Sequence, residues 1–63
     1  MKYFLISVEW DKLNSEPICV CDNEEKGKVW AGKKLRERGF FNKKLKSDEY
    51  DDPSVIMAGI LPL

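Results

Sequence analysis

The 63-residue chain reads as a small α+β domain, with one helix packed on an antiparallel sheet of three to four strands in the order β-β-α-β-β. Three observations predict this. Apolar and polar residues alternate with period two from residue 2 to residue 10. A helical stretch with start and stop signals covers the middle. A near-continuous apolar run, Val55 to Leu61, lies near the C-terminus. At this length the whole chain, residues 1–63, forms one domain. A chain of this size buries only about 60% of its unfolded surface, so it needs most of its apolar residues for a core or an interface.

Phe4, Ile6, Val8 and Trp10 point one way in the first strand, and Tyr3, Leu5, Ser7 and Glu9 the other. The Phe4 set is the heavier and is expected to meet the core. Asp11 to Pro17 has turn chemistry, and Ile18 to Cys21 should return antiparallel. Asp22 or Asn23 then starts a helix. With Asp22 as N-cap, Glu25 stands at the capping-box position, and Glu24 and Glu25 suit the positive end of the helix dipole. Gly39 stops the helix after a last turn carrying Arg36 and Arg38. Gly27, Ala31 and Leu35 share a narrow face, with Trp30 at its edge, which suggests close packing on a sheet. A third strand is expected over residues 40–46, its lysines marking an exposed edge. Ser47 to Asp52 reads as an acidic loop, and residues 55–61 as a buried fourth strand ended by Pro62.

Formal net charge is zero, yet the charges are segregated. Residues 1–25 carry two basic and six acidic side chains; residues 26–46 carry nine basic and one acidic; residues 47–63 carry four acids and no base. The basic band supplies a candidate interaction surface of Lys26, Val29, Lys33, Lys34, Arg36, Arg38, Lys43 and Lys44. Val29 falls among the cations on the helix side that the core cannot reach. Such a band suits phosphate contacts with salt-dependent affinity, and Trp30, Phe40 or Phe41 suit base stacking if exposed. The plainer account is a solvated helix face and edge strand, because charge blocks usually face water. No zinc-finger spacing, RNP1-type strand or helix-turn-helix pair accompanies the band. Asp48, Glu49, Tyr50, Asp51 and Asp52 form a candidate acidic surface that suits a basic partner or imitates phosphates. Their spacing does not match a calcium loop.

Several chemistries lack their parts. The chain has no histidine, the commonest general base and metal ligand. Residues 27–34, Gly-Lys-Val-Trp-Ala-Gly-Lys-Lys, come within one residue of a P-loop, but Lys34 stands where Ser or Thr would hold magnesium, and the segment reads as helix interior. Cys19 and Cys21 place two thiols on one strand face. That is half of a zinc site and a poor geometry for a disulfide, so small half-buried apolar residues are the simpler reading. No apolar run approaches the ~20 residues of a membrane span. Ordinary hydrophobic content (43%) and zero net charge argue against disorder.

The expectation is therefore a non-enzymatic, cofactor-free cytoplasmic protein that works by protein–protein interaction as a regulator, inhibitor or adaptor. Compact accessory proteins of viruses and mobile elements share this character. Tyr3, Leu5, Val29 and one of Phe40 and Phe41 are candidate anchors. The alternative is direct nucleic-acid binding through residues 26–46. Homodimerisation is compatible with both, and no membrane partner is expected.

Overall fold

The computed structural model describes residues 2–51 and 61–62. The α+β expectation holds at the level of a three-stranded antiparallel sheet carrying one helix. β1 (Tyr3–Glu9) is central, pairing antiparallel with β2 (Ser15–Cys21) on one side and with β3 (Lys44–Tyr50) on the other. A two-residue β4 (Leu61–Pro62) lies beside Cys19 and Val20 and runs parallel to β2, so the spatial order is β3-β1-β2-β4. Where described, the fourth strand is thus parallel and not antiparallel as expected. The rest of the expected strand over 55–61 lies outside the described residues.

The β1–β2 register shifts between Ile6 and Ser7: Ile6 pairs with Cys19, and Ser7 with Pro17. Proline has no N–H to give a ladder, and an irregularity in the pairing is where a strand tolerates it. The α-helix α1 (Glu24–Glu37) follows β2. Its N-cap is Asn23, one residue later than the Asp22 alternative; the Asn23 Oδ1 accepts the Lys26 N–H at 3.0 Å. Lys26 therefore occupies the third helical position, and the capping box with Glu25 does not form. At the other end the Phe40 N–H donates to the Leu35 carbonyl (2.9 Å) and the Gly39 N–H to that of Arg36 (3.0 Å). This is a Schellman closure, and it requires the left-handed φ of +89° that Gly39 adopts.

Gly27, Ala31 and Leu35 are the buried helical residues, as the wheel predicts. They meet Ile6, Cys19 and Cys21 on the sheet, with Phe4, Ile18, Trp30 and Leu45 packed around that cluster. Gly27 sets the distance of closest approach. A Cβ there would overlap Cys21 Sγ and stand 2.9 Å from Ile6 Cγ1.

The third strand needs correction: it spans 44–50, not 40–46. Gly39 and Asn42 (φ +59°) both adopt left-handed backbone, which breaks extension through the two phenylalanines and leaves them in a loop. The stretch expected to be an acidic loop instead continues the strand through Asp48, Glu49 and Tyr50. Leu45 pairs with Val8, the Ser47 hydroxyl donates to Glu24 Oε1 (2.8 Å), and Lys2 bonds Glu49 (3.2 Å). An edge strand accommodates such charges because one side of its backbone and much of its side-chain surface stay in water. Trp10 lies just past the end of β1 and does not extend the core row. Among the described residues, no helix is long and apolar enough to cross a membrane.

Candidate interaction surface

The topology divides the charge blocks between the two ends of the sheet. α1 starts beside the Phe4–Cys21 pair and ends in a loop leading to Lys44, which pairs with Glu9. Arg36, Arg38, Lys43 and Lys44 therefore gather at the end that also carries the β1–β2 turn with Lys12. Asp22, Glu24, Glu25, Asp48, Glu49 and Asp51 gather at the other. Glu9, Asp11, Glu16 and Glu37 also lie at the first end, and Lys2, Lys26 and Lys28 at the second, so the two ends differ in which sign is in excess and both are mixed.

The basic end is also the apolar one. The large hydrophobic side chains exposed among the described residues are Leu13, Val29, Phe40 and Phe41. Three of these four stand on two adjoining loops at this end. Leu13 is 94% exposed at the tip of the β1–β2 turn. Its presentation is built: the Asp11 carboxylate accepts the backbone N–H groups of Leu13 (2.8 Å) and Asn14 (2.9 Å), and the Asn14 amide donates to both carboxylate oxygens. The Trp10 N–H closes the turn onto the Asn14 carbonyl at 2.9 Å. The Asn14 side-chain amide, and then the backbone donors, hold the Asp11 carboxyl below its ordinary value.

The second loop is tied to the first through aromatic contact. Phe40 meets Trp10 edge to face, with ring centroids 4.9 Å apart, and Lys43 Nζ lies 5.6 Å from the Trp10 ring centre. Phe40, Phe41 and Leu35 wall a depression of about 330 Å³, with Arg36 and Lys43 on its rim. Gly32 leaves its floor open, since nothing stands within 4 Å of where a Cβ would be. Across the helix, a groove of about 380 Å³ runs between Ile18 and Trp30, bordered by Lys34 and Arg38. There Lys34 lies 5.4 Å from the Trp30 ring centre and 3.4 Å from Glu37.

No family model matches the chain. No characterised protein and no solved structure matches it either. The reading of the surface therefore stands on its own geometry.

Lys26, Val29, Lys33, Lys34, Arg36, Arg38, Lys43 and Lys44 are all exposed, but they do not form one patch. Lys26 sits in the first turn of α1, toward the acidic end, beside a shallow surface formed with Val29 and Lys33. Asp48, Glu49 and Tyr50 lie on β3 and Asp51 follows it, while Asp52 lies outside the described residues. Leu13 is the residue that sequence reasoning missed. Its signal was available: a single large apolar side chain in an otherwise polar turn, Asp11-Lys12-Leu13-Asn14.

The cysteines are inside. Both are buried and free, with Cys19 Sγ 4.0 Å from the Gly27 carbonyl oxygen and Cys21 Sγ 3.7 Å from that of Phe4. Burial, and secondarily the neighbouring Cys21, pushes the Cys19 thiol up to about 11; burial also raises Cys21. Such thiols are poor nucleophiles at neutral pH. Among the described residues no group of His, Cys, Asp and Glu side chains is placed to hold a metal. Gly27 to Lys34 lie within α1, so the P-loop-like string does not form a phosphate-cradling loop.

Proposed function

We propose that this is a small non-enzymatic protein-binding module whose working surface is the Leu13–Phe40–Phe41 end. Its partner is a protein presenting an acidic segment with an apolar side chain. The observation that carries the reading is the clustering of exposed apolar side chains on two hydrogen-bonded loops, with Lys12 beside Leu13 and with Arg36 and Lys43 bordering Phe40 and Phe41. A hydrophobic anchor inside a charged rim is the usual anatomy of an interface hot spot. Loops already fixed in free protein also lose little entropy on binding. A cytoplasmic setting, with both cysteines kept as thiols, belongs to the same reading.

Nucleic-acid binding is the second reading, favoured by one specific feature: Phe41 is 63% exposed beside Arg36 and Lys43, an arrangement suited to stacking a base between phosphate contacts. A titration separates the two, followed by tryptophan fluorescence in a Trp30→Phe background so that Trp10, at the site, is the reporter. Mixed-sequence single- and double-stranded oligonucleotides are compared with an acidic peptide carrying a central leucine, at about 50 and 200 mM salt. Saturable peptide binding abolished by Leu13→Ser with Phe41→Ser supports the module. Oligonucleotide binding that falls ~10³-fold across that salt range would replace it with the second reading.

A further inference from the structure

We infer that the outer edge of β3 is a self-complementary surface on which a second copy of this chain pairs, antiparallel and centred on Ser47, to join two sheets into one. β3 pairs with β1 alone, so among the described residues its other backbone edge has no strand partner. Unpaired edges usually carry charges that repel another strand. The charges here are arranged differently: cations lie on one side of Ser47 and anions on the other.

In a two-fold antiparallel pair centred on Ser47, Lys46 of each copy stands opposite Asp48 of the other, and Lys43 opposite Asp51. Lys44 meets Tyr50, and Leu45 meets Glu49. No like charges face each other. A two-residue slip one way sets Asp48 against its own copy, and a slip the other way sets Lys46 against its own. Slips by one residue are excluded because directly opposed side chains must share a sheet face. The sequence thus selects one register, since opposite charges across a strand pair attract and like charges repel.

The rest of the molecule leaves room for this pairing. Such a two-fold axis stands perpendicular to the sheet, so both helices lie on the same face. α1 contacts the sheet chiefly over β1 and β2. Two copies would therefore hold their helices about three to four strand spacings apart, roughly 14–19 Å. Packed helices need only 8–10 Å. The paired edge meets the Leu13–Phe41 loops at Lys43, just before β3, but Lys46 and Asp48 set the register, so the inference does not depend on the function of those loops. A small core also gains from a continuous sheet.

The test uses the full chain and its mass in solution by sedimentation equilibrium. The wild-type chain is expected to show a reversible dimer, twice the 7.3 kDa chain mass. Lys46→Asp alone and Asp48→Lys alone each set like charges opposite one another, weakening self-association by about tenfold or more. Mixed in equal amounts, these two variants should dimerise with each other, because the opposed charges are again unlike. The double variant Lys46→Asp/Asp48→Lys should dimerise alone. A wild-type chain that stays monomeric up to about 0.5 mM would overturn the inference. So would single variants that self-associate as tightly as wild type, or a mixture that does not. Should a charge variant fail to fold, cross-linking decides: Ser47→Cys should form a covalent dimer on mild oxidation and Glu49→Cys should not. Equal cross-linking of the two, or none at residue 47, contradicts the register.

Discussion

Alanine substitution at Gly27 and at Gly32 tests the helix–sheet contact that positions everything else. Both glycines lie inside α1, and each gains about 1 kcal/mol of helix propensity on becoming alanine. Their surroundings are opposite. At Gly32 the added methyl meets nothing within 4 Å, whereas at Gly27 it overlaps Cys21 Sγ and comes within 2.9 Å of Ile6 Cγ1. Ile6 is fully buried and Cys21 nearly so, which leaves little space for either to retreat. Overpacking of this kind costs about 1–3 kcal/mol. The propensity gain is common to both variants, so the stability difference between them isolates the overlap. Gly32→Ala should raise the melting temperature by about 4–8 °C, and Gly27→Ala should fall below Gly32→Ala by at least that amount. Thermal and denaturant melts followed by far-ultraviolet circular dichroism give both numbers. Because Cys21 supplies the nearest atom, Cys21→Ala should recover part of the loss in the Gly27→Ala background. Equal stabilisation by the two alanines would refute the close approach.

Other consequences are more local. Asn23→Ala removes the cap on the Lys26 N–H and should cost about 1 kcal/mol, while Asp22→Ala should cost less, which inverts the ranking a capping box would give. The Asp11 carboxyl is held below 3.8 by Asn14 and Leu13, so its support of the turn is complete above that pH and is lost as pH falls through the lower folded value. Amide resonances of Leu13 and Asn14 should therefore titrate with a midpoint below 3.8; a midpoint at or above it contradicts the hydrogen-bonding scheme. For Cys19 the sign is opposite. With the thiol raised from 9.0 to about 11, the folded state keeps its proton longer than the unfolded chain. Stability should then be insensitive to this group below pH 9 and fall as pH rises from 9 toward 11. Thiol reagents at neutral pH should label Cys19 and Cys21 only as fast as the protein opens. Rapid labelling of the folded chain would place a cysteine at the surface.

What was legible in the sequence follows from how local each signal is. The period-two row of β1 and the Gly27–Ala31–Leu35 stripe are properties of single segments; the stripe appears as expected and the row as far as Val8, while Trp10 falls past the strand and Ser7, on the other face, is buried too. The helix stop was legible because Gly39 is the residue a Schellman closure requires. The third strand was misplaced because β propensity favours Phe40-Phe41 and disfavours Asp48-Glu49, while the deciding terms lie elsewhere. These are a left-handed Asn42 and pairing of the acidic stretch with β1 and Glu24. The parallel direction of β4 depends on which neighbour it finds, which no segment encodes by itself. The candidate site was half visible. The basic band was evident, but its division between two ends needed the direction of α1 relative to the hairpin. Leu13 was read as turn and not as a presented side chain, although the Asp11 hydrogen bonds that hold it out span only two and three residues and are the local chemistry an Asp opening a turn offers.

The most direct test of the account compares two immobilised baits, the wild-type chain and Leu13→Ser/Phe41→Ser, in nuclease-treated lysate of the source cell. Both positions are exposed, so the double variant should keep its fold, with each change within about 0.5 kcal/mol of neutral. The account predicts a stoichiometric protein partner on the wild-type bait, lost from the variant and recovered as a complex from purified components. A partner retained equally by both baits, or no partner on the wild-type bait unless nuclease is omitted, would contradict it.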